Sequence, residues 1–131
     1  MSDEPRSEAV RYWWAMAEES LAAARREFDA DSYRFAVNRI YYAAFYAVSA
    51  VLLSSGLTFR KHSGVRAAFH RHLVKSGLLS PEWASFYDQL FEDRHEGDYL
   101  AFVRFDREYV ARQLKRCIQL LEPLRLLLPQ A

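Results

Sequence analysis

The feature that most constrains this chain is a helical repeat of apolar residues that continues almost from end to end. From Val10 to Phe28, apolar side chains recur at alternating steps of three and four, which is the spacing of one face of an amphipathic helix. Later segments repeat this spacing, and none shows the two-residue alternation of a half-buried strand. The pattern predicts an all-α protein.

Glycine and proline, with four of each, fall between the helical segments and divide the chain. Gly77 is suited to end a third, short helix in the left-handed conformation. The residues expected to cap helix starts are Asp31 or Ser32 for the second helix, Ser80 for the fourth and Asp106 for the last. We therefore predict an up-and-down four-helix bundle with an additional short helix. It forms one domain over residues 1–131, with its core at about 8–128.

Composition narrows the function and the location. The 18 lysines and arginines nearly balance 17 acidic residues, which argues against broad coating of nucleic acid but allows a local basic cleft. Cys117 is the only cysteine and lies on an apolar helical row, so we expect a packing role in a reducing compartment. The apolar run from Ile40 to Leu53 is too short and too rich in tyrosine to span a bilayer. We expect a soluble cytoplasmic protein.

The second helix carries an unusual group of tyrosines in the stretch "NRIYYAAFYAVSAVLL". Arg39, Tyr42 and Tyr46 stand at positions i, i+3 and i+7, so they share one face of the helix. One interpretation is a polar cleft lined by these three residues, which would bind a ligand. The other is a set of hydrogen-bonded core tyrosines at a dimer contact.

Arg94 is the most informative charge because it interrupts an apolar row on the fourth helix. Asp98 is its nearest partner, four residues further along the same face, and Tyr99 follows directly. An unpaired guanidinium in such a row would be costly, so a buried Arg94–Asp98 ion pair is one interpretation. The alternative is an arginine directed into a cleft to bind phosphate.

Lys61 and His62 stand at the start of the third helix, where free backbone amides favour an anion. A phosphate pocket and a helix-capping histidine are both open interpretations. His70 and His72 diverge on a helix, with His72 expected in the core and His70 expected to be exposed. No histidine pair has a metal-ligand spacing, so neither a metal nor another cofactor is predicted.

Several short motifs occur in a characteristic order along the chain. They are "NRIYYAAFYA", then "KHSGV" with "FHRHLVKSG", and then "RHEGDY". In this order and at these separations, the sequence resembles the HEPN domain family of prokaryotes, and in particular its small stand-alone branch of uncharacterised proteins. The resemblance extends from about Glu8 to Leu127.

The resemblance implies a helical bundle that forms a homodimer and that is often encoded beside a minimal nucleotidyltransferase, as a toxin–antitoxin pair. Many relatives are metal-independent ribonucleases that use an arginine and a histidine a few residues apart on one helix. Arg94 matches that arginine, but Asp98 and Tyr99 occupy the window in which the histidine is expected. In some relatives the partner transferase modifies a tyrosine near this motif, and Tyr99 is the nearest candidate.

Three hypotheses follow for the function. The leading one is a dimeric HEPN protein that binds a nucleotide, RNA or a nucleotidyltransferase partner through a cleft. The residues assigned to it are Arg39, Tyr42, Tyr46, Lys61, His62, Arg94, Asp98 and Tyr99. The alternative is a metal-independent ribonuclease toxin, and the third hypothesis is a purely structural dimer.

Overall fold

The computed structural model describes residues 4–100 and 104–129. These residues form five α-helices and no strand: α1 (Glu4–Asp29), α2 (Tyr33–Ser54), α3 (His62–Ala68), α4 (Glu82–Tyr99) and α5 (Arg107–Leu126). α3 is the additional short helix, and the other four form the bundle. The prediction of an all-α bundle is confirmed.

Helix α2 lies at the centre of the bundle and contacts each of the other α-helices. Its closest neighbour is α1, and both helices present fully buried alanines. These alanines are Ala17 and Ala24 on α1 and Ala36, Ala43, Ala44, Ala47 and Ala50 on α2. Small side chains let two helix backbones approach closely, and larger rings fill the space between α2, α3 and α4. The largest of these buried rings belong to Tyr41, Phe69 and Tyr87.

The helix ends agree only in part with the predicted capping residues. Gly77 has a φ of +91°, as a glycine after a helix allows, and Asp106 accepts a hydrogen bond of 2.8 Å from a backbone amide of the first turn. Ser32 precedes α2 as predicted, but its side chain makes no capping hydrogen bond. The capping role predicted for Ser80 is wrong, because α4 begins at Glu82 and has no side-chain cap.

The chain continues from α3 into a π-helix from Phe69 to Val74. A π-helix has more residues in each turn than an α-helix, so it rotates the side chains that follow it. His70 is turned toward α4, where its Nε2 lies 2.8 Å from Oδ1 of Asp88, and Arg66 donates to the same oxygen at 2.9 Å. The side chain of His70 is 40% exposed, so the expected exposure is only partial, and His72 is half-buried instead of lying in the core.

Helix α2 is long and apolar enough to cross a bilayer by length and composition alone. However, 61% of its most apolar stretch is buried inside the bundle. The central helix of a soluble protein has the same properties, because it is covered on several sides by other helices. The packing of α2 is consistent with a soluble protein.

Candidate functional site

Helix α4 directs Arg94 toward the tyrosines of α2. The side chain of Arg94 is 18% exposed, and its guanidinium carbon lies 5.4 Å from the ring centre of Tyr41 and 5.6 Å from that of Tyr42. Nη2 of Arg94 donates a hydrogen bond of 3.3 Å to the hydroxyl of Tyr42. A cation near aromatic faces is attracted by their negative quadrupole, so the rings help to hold the guanidinium in place.

Two further residues fix the position of Arg94: Asp98 near the end of α4, and Asn38 on α2, which bonds to Asp98. An Oδ2 of Asp98 lies 3.1 Å from Nε of Arg94, in an ion pair whose geometry falls outside that of a hydrogen bond. Asn38 on α2 donates to the other oxygen of Asp98 at 3.3 Å. The last turn of α4 is also held by Arg34, which donates to the carbonyl of Gly97. The predicted Arg94–Asp98 pair thus exists and is tied to α2.

His62 enters the same region as the first residue of α3. Its Nδ1 lies 2.8 Å from the hydroxyl of Tyr41, and its ring stacks on Phe45 with centres 4.3 Å apart. The His62 ring is also 5.7 Å from the ring of Tyr41 and 5.6 Å from the ring of Tyr42. Arg94 and His62 therefore lie against the same two tyrosine rings, although they are far apart in sequence. We refer to Asn38, Tyr41, Tyr42, His62, Arg94 and Asp98 as the Arg94 cluster.

Burial sets the charge state within this cluster. Burial lowers the pKa of His62 below its ordinary value of 6.5, and the charge of Arg94 lowers it further. Burial also raises the pKa of Tyr41 to about 12, so its phenol keeps its proton at neutral pH. At neutral pH the cluster therefore combines a neutral imidazole, two tyrosine rings and the Arg94–Asp98 ion pair. A neutral imidazole can accept a proton, and a guanidinium can bind a phosphate.

Four of the residues assigned to the site from the sequence come together here: Tyr42, His62, Arg94 and Asp98. The other four lie outside the cluster. Arg39 and Lys61 are exposed, and Tyr46 packs on Trp13 of α1 with ring centres 5.4 Å apart. Tyr99 is 66% exposed and its ring lies 4.9 Å from that of His95. Their assignment to a functional site stays a prediction.

The sequence reasoning missed Tyr41 and Asn38 as members of the site. Tyr41 belongs to the same helical row as Val37 and Ala44, which marks it as buried, but the row does not show that its hydroxyl meets a histidine from α3. Asn38 stands one turn before Tyr42, so it could have been placed on the same side of α2. In both cases the missing information was the partner on another helix.

A second polar group on α4 is fully enclosed. Asp93 is 4% exposed, and each of its carboxylate oxygens accepts a hydrogen bond: Oδ1 from Gln89 at 2.8 Å and Oδ2 from the hydroxyl of Tyr109. Gln113 donates to the same hydroxyl at 3.3 Å. This network connects α4 with α5, and it was not predicted from the sequence.

Comparison with protein families agrees with this architecture. The profile of the HEPN domain matches residues 10–127, which is most of the chain. A protein of Thermotoga maritima (strain MSB8), named "UPF0332 protein", is 46% identical over 82% of this chain and 81% of its own length. A "UPF0332 protein" of Pyrococcus horikoshii (strain OT-3) is 31% identical over 81% of this chain and 71% of its own length.

A further relative carries a name that refers to a function. "Putative toxin MJ0142" of Methanocaldococcus jannaschii is 36% identical over 70% of this chain, and the match spans 63% of that protein's length. The family profile covers the segment that holds α2, α3 and α4. This chain therefore belongs to the HEPN domain family.

Proposed function

We propose that this toxin-like HEPN protein binds RNA or a nucleotide through the Arg94 cluster, and that it does so within a toxin–antitoxin-type system in the cytoplasm. The observation that carries the proposal is the incomplete hydrogen bonding of the Arg94 guanidinium. It is held by an ion pair and two rings, yet among the described residues it donates a hydrogen bond only to Tyr42. Its other N–H groups suit the oxygens of a phosphate.

Several properties of the cluster favour an anion of this kind. The low exposure of Arg94 strengthens its attraction for a charge that replaces water. Asp98 contacts the Nε side of the guanidinium, which leaves Nη1 for a ligand. The hydroxyl of Tyr42 lies beside it and can donate to a phosphate oxygen.

Binding measurements with a matched control test this proposal. Labelled nucleotides and short RNA are titrated into the wild type, Arg94→Ala and Arg66→Ala, with folding checked by circular dichroism. Arg66 is the control because it also pairs with an aspartate and lies over an aromatic ring, that of Phe91 at 4.6 Å. We expect a loss of about ten- to a hundred-fold for Arg94→Ala, as for a charge-assisted contact, and little change for Arg66→Ala. Equal affinities of all three proteins, or no binding by any, would refute it.

We also propose that the protein is a homodimer with a minimal nucleotidyltransferase as a partner. The support for the dimer is a patch of exposed apolar side chains where α2 begins and α4 ends, Phe35 (63%) and Leu100 (50%), and the support for the transferase is the 66% exposure of Tyr99. Arg34 links these two helix ends through the carbonyl of Leu100. A second chain covering the patch would remove this apolar surface from water.

Sedimentation analysis tests the dimer, since Phe35→Asp should shift the protein toward a monomer. Phe35 is chosen because its side chain is exposed, so an aspartate at this position is compatible with folding. For the transferase, incubation with the candidate enzyme and ATP should add mass to the wild type and not to Tyr99→Phe. A monomeric wild type would contradict the homodimer. The same mass gain in the wild type and in Tyr99→Phe would contradict modification of Tyr99.

A metal-independent ribonuclease is the second candidate function, and one observation favours it. The histidine that HEPN ribonucleases carry a few residues after this arginine is absent, because Asp98 and Tyr99 occupy that window. However, His62 reaches the same two tyrosine rings from α3. In the tautomer in which Nδ1–H donates to the hydroxyl of Tyr41, Nε2 carries no proton and can take the proton from a ribose 2′-hydroxyl. The 2′-oxygen then attacks the phosphorus, and the bond from phosphorus to the 5′-oxygen breaks. The 5′-oxygen takes up a proton from water, and Arg94 stabilises the charged phosphate.

The ribonuclease hypothesis makes a clear prediction about products and variants. The wild type should cut RNA in the presence of EDTA, leaving a 2′,3′-cyclic phosphate and a 5′-hydroxyl. His62→Gln and Arg94→Ala should both abolish cleavage, whereas His70→Gln, on the Asp88 side of the bundle, should retain it. An inert wild type, or an active His62→Gln, would exclude His62 as the base. If neither the wild type nor any variant binds or cuts RNA, and Arg94→Ala only destabilises the fold, the purely structural dimer is favoured.

A further inference from the structure

A continuous series of aromatic rings leads away from the Arg94 cluster along α2 and α1. Tyr42, which contacts Arg94, has its ring centre 5.7 Å from that of Tyr46. Tyr46 stacks on Trp13 at 5.4 Å and 28°, and Trp13 meets Tyr12 edge to face at 5.6 Å. We call Tyr12, Trp13 and Tyr46 the aromatic strip.

Solvent exposure increases along the aromatic strip from Tyr46 to Tyr12. Tyr46 and Trp13 are half-buried between α1 and α2, whereas Tyr12 at the far end is 59% exposed. Packing of α1 on α2 explains the two inner rings, because they fill the contact between the helices. It does not explain a large ring at position 12, which contributes little to the core.

Positive charge accompanies the strip. Arg39 is exposed on α2 and shares a helix face with Tyr42 and Tyr46. Burial raises the pKa of Tyr46, and the charge of Arg39 opposes that rise. Together with Arg94, the strip therefore has a cation near its inner end and a second one along its side.

We infer that the aromatic strip is a stacking surface for unpaired RNA bases, which guides a single strand to the Arg94 cluster. Single-stranded nucleic acids are commonly bound by aromatic side chains that stack on successive bases, with cations placed along the phosphates. Bases inside a duplex are already stacked on their neighbours, so their faces are not available to such a surface. This inference rests on the proposed function and specifies its substrate as single-stranded RNA.

The first arm of the test isolates the stacking ring. Fluorescence anisotropy measures the affinity of the full chain for a short unstructured RNA, a duplex RNA and an abasic chain with the same sugar–phosphate backbone. We expect Tyr12→Ala to weaken binding of the unstructured RNA about five- to a hundred-fold, which corresponds to the loss of one stacked base. Tyr12→Phe keeps a stacking ring and should bind like the wild type. The affinity for the abasic chain should be the same with and without Tyr12.

Controls separate the inference from its alternatives. Leu78→Ala removes an apolar side chain of similar exposure, 57%, from the turn after the π-helix and should leave binding unchanged. Sedimentation of each variant shows whether the strip holds a second chain. If Tyr12→Ala weakens binding and also dissociates a dimer, the strip is a protein contact and the inference is wrong. Preference for the duplex would likewise overturn it.

The outcome also distinguishes this inference from the proposed function. If Arg94→Ala abolishes RNA binding and Tyr12→Ala has no effect, the function stands and the strip is not a base-stacking surface. If the wild type binds none of the RNAs, this inference is wrong, and the proposed function stands only if a nucleotide binds and Arg94→Ala removes that binding. A parallel effect of Tyr12→Ala on the unstructured RNA and on the abasic chain would show that the residue acts on the backbone, which also contradicts stacking.

Discussion

Asp93 and Arg94 are neighbours in sequence, both are charged, and both lie on an otherwise apolar helix, yet their surroundings differ. Asp93 is 4% exposed and both of its oxygens accept hydrogen bonds from within the bundle. Arg94 is more accessible, and within the described part of the chain its guanidinium donates to Tyr42 alone. A charge whose hydrogen bonds are completed internally stabilises the fold, whereas an incompletely bonded charge near the surface is available to a ligand. The two sides of α4 should therefore respond differently to substitution.

The largest effect on stability is expected for Asp93→Ala. Removal of the buried carboxylate leaves the half-buried Tyr109 hydroxyl without its acceptor, whereas the Gln89 amide is exposed and can turn to water. We expect the free energy of unfolding to fall by about 3 kcal/mol, as for other buried polar networks that lose one member. Urea denaturation measures this, with Glu92→Ala as the control because that acid is exposed on the same helix. Equal stability of both variants would mean that the Asp93 network contributes little.

Tyr109→Phe should have the second largest effect. It removes one donor from Asp93 and keeps the ring, so about 1–2 kcal/mol of stability should be lost. Because Tyr109 lies on the Asp93 side of α4, affinity for RNA should be unchanged in the folded protein. A selective loss of RNA affinity at full stability would show that the two sides of α4 are not separate.

Tyr42→Phe is the matching change on the Arg94 side. The hydrogen bond from Arg94 is long, at 3.3 Å, and partly exposed, so the loss of stability should be below about 1 kcal/mol. Affinity for RNA or nucleotide should nevertheless fall several-fold, because the guanidinium loses its orientation and the ligand loses a donor. Tyr33→Phe is the control, because its hydroxyl bonds to Asp31 at the start of α2, outside both the cluster and the aromatic strip. An equal loss with both variants would indicate a general packing effect.

The smallest effect should be a pH dependence of stability that comes from His62. Burial and the charge of Arg94 hold its pKa in the folded protein below the ordinary value of 6.5. Acid therefore protonates His62 first in the unfolded chain, so stability is lost as the pH falls through 6.5 and the loss levels off below the folded pKa. The contribution is fully present above 6.5, where both states are neutral.

Urea midpoints between about pH 7.5 and about pH 5 measure this dependence. His62→Gln should show a smaller loss on acidification than the wild type. His95→Gln is the control, because His95 is exposed and contacts only the ring of Tyr99 among the described aromatic residues. If His62→Gln and the wild type lose stability in parallel, the imidazole is not desolvated by the cluster.

Much of the fold was predictable because it depends on local chemistry. The three-and-four spacing of apolar residues identified the helices, and the conformation of Gly77 and the capping by Asp106 follow from those residues themselves. The Arg94–Asp98 pair was predictable for the same reason, since residues four apart on a helix are neighbours.

The remaining features depend on contacts between distant segments. Periodicity shows that Tyr41 is buried, but not that His62 will bond to its hydroxyl. Asp93 was missed because a lone acid beside an arginine resembles a surface pair until the donors from α5 are known. The pairing of His70 was missed because it depends on Asp88 of α4, which the helical pattern around His70 does not show.

The buried alanines between α1 and α2 have a consequence for how this site could evolve. Because buried alanines let parts of α1 and α2 approach closely, and Trp13 and Tyr46 fill the rest of the contact, α2 has little freedom to rotate about its axis or to slide along α1. The directions in which Tyr41 and Tyr42 point are therefore fixed by residues that touch neither Arg94 nor His62. A larger side chain in place of Ala43 or Ala47 would shift the phenols of Tyr41 and Tyr42 together. Substitutions between α1 and α2 are therefore constrained by the Arg94 cluster on the opposite side of α2.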